Sequence, residues 1–131
     1  MKKFKSSFNI YYEDTDAGGV VYYANYLKFL ERARSEAIYS LGYTNSGLFE
    51  DYGVLLIVKS CNIEYKKPAK FEDKLDIVSE VVSFTKTSFI MKQNILRNEE
   101  LISIAEIHLV SVDKDGKPSK VPDELKQKLE N

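Results

Sequence analysis

A chain of 131 residues, 44% hydrophobic and 30% charged, can bury one core and is too apolar to stay disordered. Its 19 Lys and Arg against 20 Asp and Glu exclude the basic excess of a dedicated nucleic-acid binder. One cysteine, Cys61, and one histidine, His108, exclude an internal disulfide framework and a single-chain His/Cys zinc site, so no metal is expected.

The opening stretch MKKFKSSFNIYYED carries lysines with no apolar run behind them, so no signal peptide is expected. The longest aliphatic run, Val54 to Val58, is far too short to span a bilayer. A cytoplasmic location without membrane insertion is the default expectation. Residues 4–12 alternate, with Phe4, Phe8, Ile10 and Tyr12 on one face, which predicts a strand. Glu13 to Gly19 is turn chemistry. From about Tyr22 to Leu41 the period changes: Leu27, Leu30, Ala33 or Arg34, Ala37, Ile38 and Leu41 recur at steps of three and four, the mark of an amphipathic helix. Asn25 is its N-cap candidate and Gly42 stands where a C-cap belongs. Everything after Gly53 reads as sheet: residues 54–66, Leu75 to Phe84, Ser88 to Arg97 and Leu101 to Val112, with a short turn at Asn98-Glu99-Glu100 that implies antiparallel neighbours. Asp115-Gly116 is a turn, and Pro122 to Glu130 suits a short closing helix.

No repeat or linker divides residues 1–131, so a single domain is expected. The order is strand, long helix, four strands, which makes an α+β fold with a five-stranded antiparallel sheet. One amphipathic helix covers only one face of such a sheet. The other face, or an edge, is left for a second subunit, so dimerisation is expected.

The chemistry concentrates in EDTDAGGVVYYANYLKFLERARSEA, residues 13–37. A helix start presents N–H groups without intrahelical partners and a partial positive charge, which suits an oxyanion forming on a carbonyl. Gly18 and Gly19 let a ligand approach the backbone. Asp16 can then act beside that carbonyl as a base on water or as a nucleophile. The competing reading is that Asp14 and Asp16 only cap turns, and spacing alone leaves both open. A calcium loop counted from Asp14 fails, because Gly18 and Asn25 stand where two oxygen ligands are required. No phosphate-cradling glycine motif is present.

The stretch YYEDTDAGGVVYYANYLKFLERARSEA resembles the acyl-CoA thioesterases of the hot-dog fold, in the 4-hydroxybenzoyl-CoA thioesterase-like branch and, within it, the YbgC type associated with the Tol-Pal system. Weaker resemblance extends over almost the whole chain, including CNIEYKKPAKFEDKLDI. The resemblance implies a long central helix packed on a five-stranded antiparallel sheet, a homodimer with a continuous sheet or a homotetramer, and active sites at the subunit interface. It places the catalytic aspartate on Asp16, as base or nucleophile, and the carbonyl-polarising amide on Tyr23, with Gly19 keeping the approach open. Many YbgC-type enzymes read Y-H-A-N-Y where this chain reads Tyr22-Tyr23-Ala24-Asn25-Tyr26, so a histidine side chain has no role at position 23 and a backbone role survives.

Asn25 and Tyr26 are candidates to line an acyl pocket, with capping and core packing as the alternatives. Coenzyme A is part of the substrate, so no separate cofactor is expected. Its phosphates call for cations at the mouth, and Lys86 is the candidate the resemblance favours, ahead of the Lys66, Lys67 and Lys70 cluster. Glu31 and His108 read as structural, and Cys61 as a small buried hydrophobe. The implied activity is hydrolysis of acyl-CoA to free acid and CoA. A hot-dog dehydratase or hydratase, and a non-catalytic module that binds acyl thioesters, are the alternatives.

Overall fold

The structure is a computed structural model that describes residues 2–131. Its strands are β1 (Lys3–Asn9), β2 (Leu55–Tyr65), β3 (Lys74–Phe84), β4 (Ser88–Arg97) and β5 (Glu100–Val112). Its helices are α1 (Asn25–Ser40), α2 (Asn45–Tyr52) and α3 (Asp123–Glu130). The strands form one sheet in the order β1-β3-β4-β5-β2, antiparallel throughout. The long helix lies on one face of this sheet, which is the hot-dog arrangement the sequence resemblance implies.

The alternation of β3, β4 and β5 decides which face is covered. Leu75, Ile77 and Val81, Met91 and Ile95, and Ala105 and Ile107 are all buried. They meet Tyr26, Phe29, Leu30, Ala33, Ala37 and Ile38 of α1 in one apolar core. Leu27, counted in the helix face from its spacing, is 48% exposed instead, because the true stripe begins at Tyr26 and Phe29. Gln93 is the largest of the buried polar residues on this face, beside Ser79, Ser103 and Ser111. Its amide donates to Leu30 O at 3.1 Å and Ser79 Oγ at 3.0 Å, so both of its N–H groups are satisfied. The β4–β5 hairpin turns through two left-handed residues, Asn98 (φ 50°) and Glu99 (φ 68°), a geometry that matches the twist of the strands it joins.

Several boundaries differ from the sequence expectation. β1 stops at Asn9, and Tyr12 lies 80% exposed in a 3-10 turn, Tyr12–Asp14. The cause is Asp14, whose carboxylate accepts from Tyr11 N at 2.9 Å and folds the chain out of the strand. The α1 N-cap is Ala24, not Asn25. Asn25 turns its side chain away to donate to Asp14 O at 2.8 Å. α2 has no counterpart in the expectation. It is capped by Thr44, whose hydroxyl accepts from Gly47 N at 2.9 Å, and closed by Gly53 at φ 68°. Cys61 is exposed rather than buried, because β2 is an edge strand.

The two sheet edges differ in character. β1 carries Lys3 and Lys5, a common device against edge-to-edge pairing. β2 instead exposes Leu55, Ile57, Val58 and Tyr65, each between 42% and 47% accessible.

Candidate active site

The site is built from two segments that hydrogen-bond to each other: residues 10–24, leading into α1, and the loop 66–73 between β2 and β3. Asp14 anchors the first. It is buried at 3% exposure, paired with Lys28 Nζ at 3.1 Å, and its backbone oxygen accepts from both Tyr22 N and Asn25 Nδ2. The approach to α1 is thereby fixed one turn before the helix begins.

Asp16 is exposed, two residues further on. Its Oδ1 accepts from Gly18 N at 2.8 Å, so the turn-capping role left open by the spacing is present. Among the described residues its Oδ2 accepts no hydrogen bond, which leaves one carboxylate oxygen for a water or a carbonyl carbon. A Cβ at Gly18 would stand 3.2 Å from Asp16 Oδ1. Glycine there keeps that carboxylate uncrowded. Gly19 itself adopts φ 80°, where a side chain is strained, and closes the turn through its N–H to Asp16 O at 3.0 Å.

Tyr23 lies at the last bend before α1. Among the described residues the backbone N–H groups of Tyr23 and Ala24 donate to no protein acceptor, as expected for the first turn of a helix. Its side chain is 63% exposed beside Tyr22, ring centroids 4.9 Å apart. Its carbonyl accepts from Tyr65 Oη at 3.3 Å.

Ala69 ties the two segments together. It is fully buried, its O accepts from Val21 N at 2.8 Å, and its N–H donates to Tyr26 Oη at 3.0 Å. Burial pushes the Tyr26 and Tyr65 phenols above the ordinary tyrosine range, so both stay neutral hydrogen-bonding groups. The loop is held from behind by Arg97, which donates to Pro68 O at 2.9 Å and Asp73 Oδ2 at 2.8 Å and is itself braced by donating to Glu100 Oε1 at 3.2 Å. Nothing in the sequence signalled this clamp, whose partners lie 24 and 29 residues apart.

Within one chain the proposed groups fall in two hollows. Asp16 and Gly19 share one with Tyr12, Thr15 and Phe71. Tyr23 and Tyr26 share the other with Val21, Tyr65, Lys66 and Pro68. Asn25 is committed to Asp14 O. Lys86 lies in neither hollow. It sits exposed in the β3–β4 turn, where its carbonyl accepts from Val121 N. Lys67 lines the second hollow but is ion-paired with Glu100. Among the described residues no three His, Cys, Asp or Glu side chains converge on a metal position. None of the described helices is long and apolar enough to cross a membrane.

A family model described as the thioesterase-like superfamily matches residues 11–129. The acyl-CoA thioesterase YbgC of Haemophilus influenzae is 39% identical over 124 residues, covering 94% of this chain and 91% of that protein. A probable thioesterase from Bartonella henselae has a similar solved structure, with TM-score 0.88, 30% identity, and coverage of 92% of this chain and 100% of that one. A 4-hydroxybenzoyl-CoA thioesterase mutant, solved with 4-hydroxybenzoyl-CoA bound, superposes with TM-score 0.92 over 98% of this chain and 99% of its own. At 20% identity that last likeness speaks for the fold alone.

Proposed function

The chain belongs to the thioesterase-like superfamily, and from that premise we propose that it hydrolyses acyl-CoA thioesters to the free acid and coenzyme A. The observation that carries the reading is local. One short segment holds a carboxylate with an uncommitted oxygen, Asp16, and main-chain donors without acceptors at Tyr23 and Ala24. A thioester carbonyl oxygen bonded to the Tyr23 amide would develop its negative charge against the positive end of α1. Asp16 would then either take a proton from the attacking water or attack the carbonyl carbon itself, with the CoA thiolate leaving in each case. Water supplies the hydroxyl of the product acid on both routes.

Two hollows that are separate in one chain become one site if a second copy closes them. The apolar β2 edge supports a homodimer with a continuous ten-stranded sheet (five from each chain). The uncovered sheet face gives room for a homotetramer. Gly19, Asn25 and Tyr26 then shape the substrate-facing wall, and Lys86 meets the CoA phosphates. A cytoplasmic setting fits the single exposed thiol of Cys61, which is best tolerated where thiols stay reduced.

The hydratase reading needs a histidine beside the carboxylate. His108 pairs in register with Ile90 and Ser60, between the buried Ile107 and Leu109, and so belongs to the sheet face turned away from α1. Free-thiol release across a panel of acyl-CoAs tests the proposal. Turnover of at least one short or aromatic acyl-CoA is expected. Tight binding of every thioester without thiol release would replace it with a binding module, and hydration of enoyl-CoA would replace it with a hydratase.

A further inference from the structure

We propose that Arg34 selects acyl groups that end in a carboxylate, and that the slot it occupies receives the acyl chain of a thioester held at the catalytic segment of a second copy. This rests on the hydrolase reading above and narrows its substrate class.

The slot opens beside the β2 edge, between α1 and the sheet, and measures about 150 Å³. That is room for a short acyl chain only. Its floor is apolar, made by Ile38, Phe89, Met91 and Leu109, with Leu56 and Val58 at the edge. Into it reaches one guanidinium. Arg34 Nη1 donates to Gln93 Oε1 at 3.0 Å, and Gln93 is fully buried. Among the described residues this is the one hydrogen bond Arg34 makes, out of the five donors a guanidinium offers, and no carboxylate lies within ion-pairing distance of it. The adjacent Glu31 is exposed at the rim and accepts from Ser35 Oγ at 3.1 Å. Burial pulls the Arg34 pKa below the ordinary arginine value, and Glu31 opposes that shift, so the group is partly desolvated and incompletely compensated. A carboxylate entering the slot would pair bidentately with the remaining donors, while its methylenes rest on the apolar floor.

The position of the slot says whose thioester it serves. Arg34 lies eleven residues beyond Tyr23 along α1, about 16 Å at helical rise, which is too far for a four-carbon acyl chain. β2 runs antiparallel to α1, since its Tyr65 end meets Tyr23 and Tyr26 while its Leu56 end meets Arg34 and Ile38. Antiparallel pairing of β2 (residues 55–65) with itself has its two-fold axis near the middle of the strand, at the bulge between Val58 and Ser60. That axis stands normal to the sheet, so both helices stay on one side. It brings the Leu55–Leu56 end of one copy beside the Tyr65 end of the second, with strands about 5 Å apart. The Arg34 slot of one copy therefore adjoins the Tyr23 hollow of the other.

The test compares kcat/KM for succinyl-CoA and pentanoyl-CoA, whose acyl chains are of similar length. The wild type should favour succinyl-CoA by about tenfold or more, the range for a charge-assisted hydrogen bond. Arg34→Met should bring the ratio to one or below, and Arg34→Lys should leave an intermediate value. Equal turnover of the two, or a ratio that survives Arg34→Met, overturns the inference while leaving the hydrolase reading intact. A ratio that survives while the dimer falls apart would show instead that Arg34 pairs with an acid of the second copy. Should Arg34→Met fail to fold, the wild-type ratio for succinyl-CoA, glutaryl-CoA and pentanoyl-CoA decides by itself. Failure to cleave any acyl-CoA overturns both readings.

Discussion

Asp14 and Asp16 are separated by one residue and by opposite environments. The first is buried, ion-paired with Lys28 and bonded to Tyr11 N. The second is exposed and half-committed to its own turn. Their roles divide accordingly: Asp14 holds the segment, and Asp16 is available to react. Asp14→Ala would strand a part-buried N–H donor and an unpaired ammonium while sparing the backbone bonds. A loss of about 2 kcal/mol is expected, a fall in Tm of roughly 5–10 °C for a domain of this size. Thermal unfolding by circular dichroism checks it, and an unchanged Tm would remove Asp14 as the anchor. Spacing alone did not distinguish the two aspartates, because burial is set by where Lys28 and Tyr11 arrive in three dimensions.

At the scale of elements, the short helices α2 and α3 are tied together by one carboxylate. Glu124 accepts from Tyr43 Oη at 2.8 Å and Tyr52 Oη at 3.2 Å, and pairs with Lys128 at 3.2 Å. Those hydrogen bonds hold Glu124 below the usual carboxylate range, so its contribution is present above that range and fades as pH falls through its lowered value. Desolvation, with help from Tyr43 and Glu124, pushes Tyr52 up from 10.0 to about 12. A raised acid favours the fold while neutral. The unfolded chain ionises first, so this stability is intact below pH 10.0 and is lost as pH climbs to about 12. Tm measured against pH should therefore fall over that window, and Tyr52→Phe should flatten the fall. An alkaline limb identical in both proteins would contradict it.

These elements also show what a sequence can carry. β3, β4 and β5 were legible because each buries one face and alternates cleanly. α2 was not, because it is eight residues long and buries Leu48 alone, so no periodic stripe exists to read. Its readable marks were the caps, Thr44 and Gly53. Cys61 was misread for a related reason: an apolar run signals a strand but does not reveal that the strand is an edge. In the candidate site, the carboxylate, the glycine turn and the helix start lie together in the chain and could be found. Arg97, Ala69 and Arg34 act through contacts far apart in sequence, which no local pattern records.

At the scale of the whole molecule, one edge of the sheet repels and the other invites. Lys3 and Lys5 protect β1, while Leu55, Ile57 and Val58 leave β2 ready to pair. The proposed site is complete only if it does. Ile57→Lys puts two like charges near the seam and leaves the helix-side core untouched. Sedimentation should then give a monomer with native far-UV circular dichroism and at least tenfold lower turnover, an order-of-magnitude figure for a site that has lost one wall. A fully active monomer would refute the two-chain site.

The central claim is that Asp16 acts directly on the thioester. Thiol release by the wild type and by Asp16→Asn, measured in parallel on the acyl-CoA that the wild type cleaves fastest, tests it most directly. Asparagine preserves the Gly18 contact but is neither base nor nucleophile, so kcat should fall by about 10²–10⁴-fold while CoA still binds. An asparagine variant that turns over within about threefold of the wild type, far outside that range, would contradict the account.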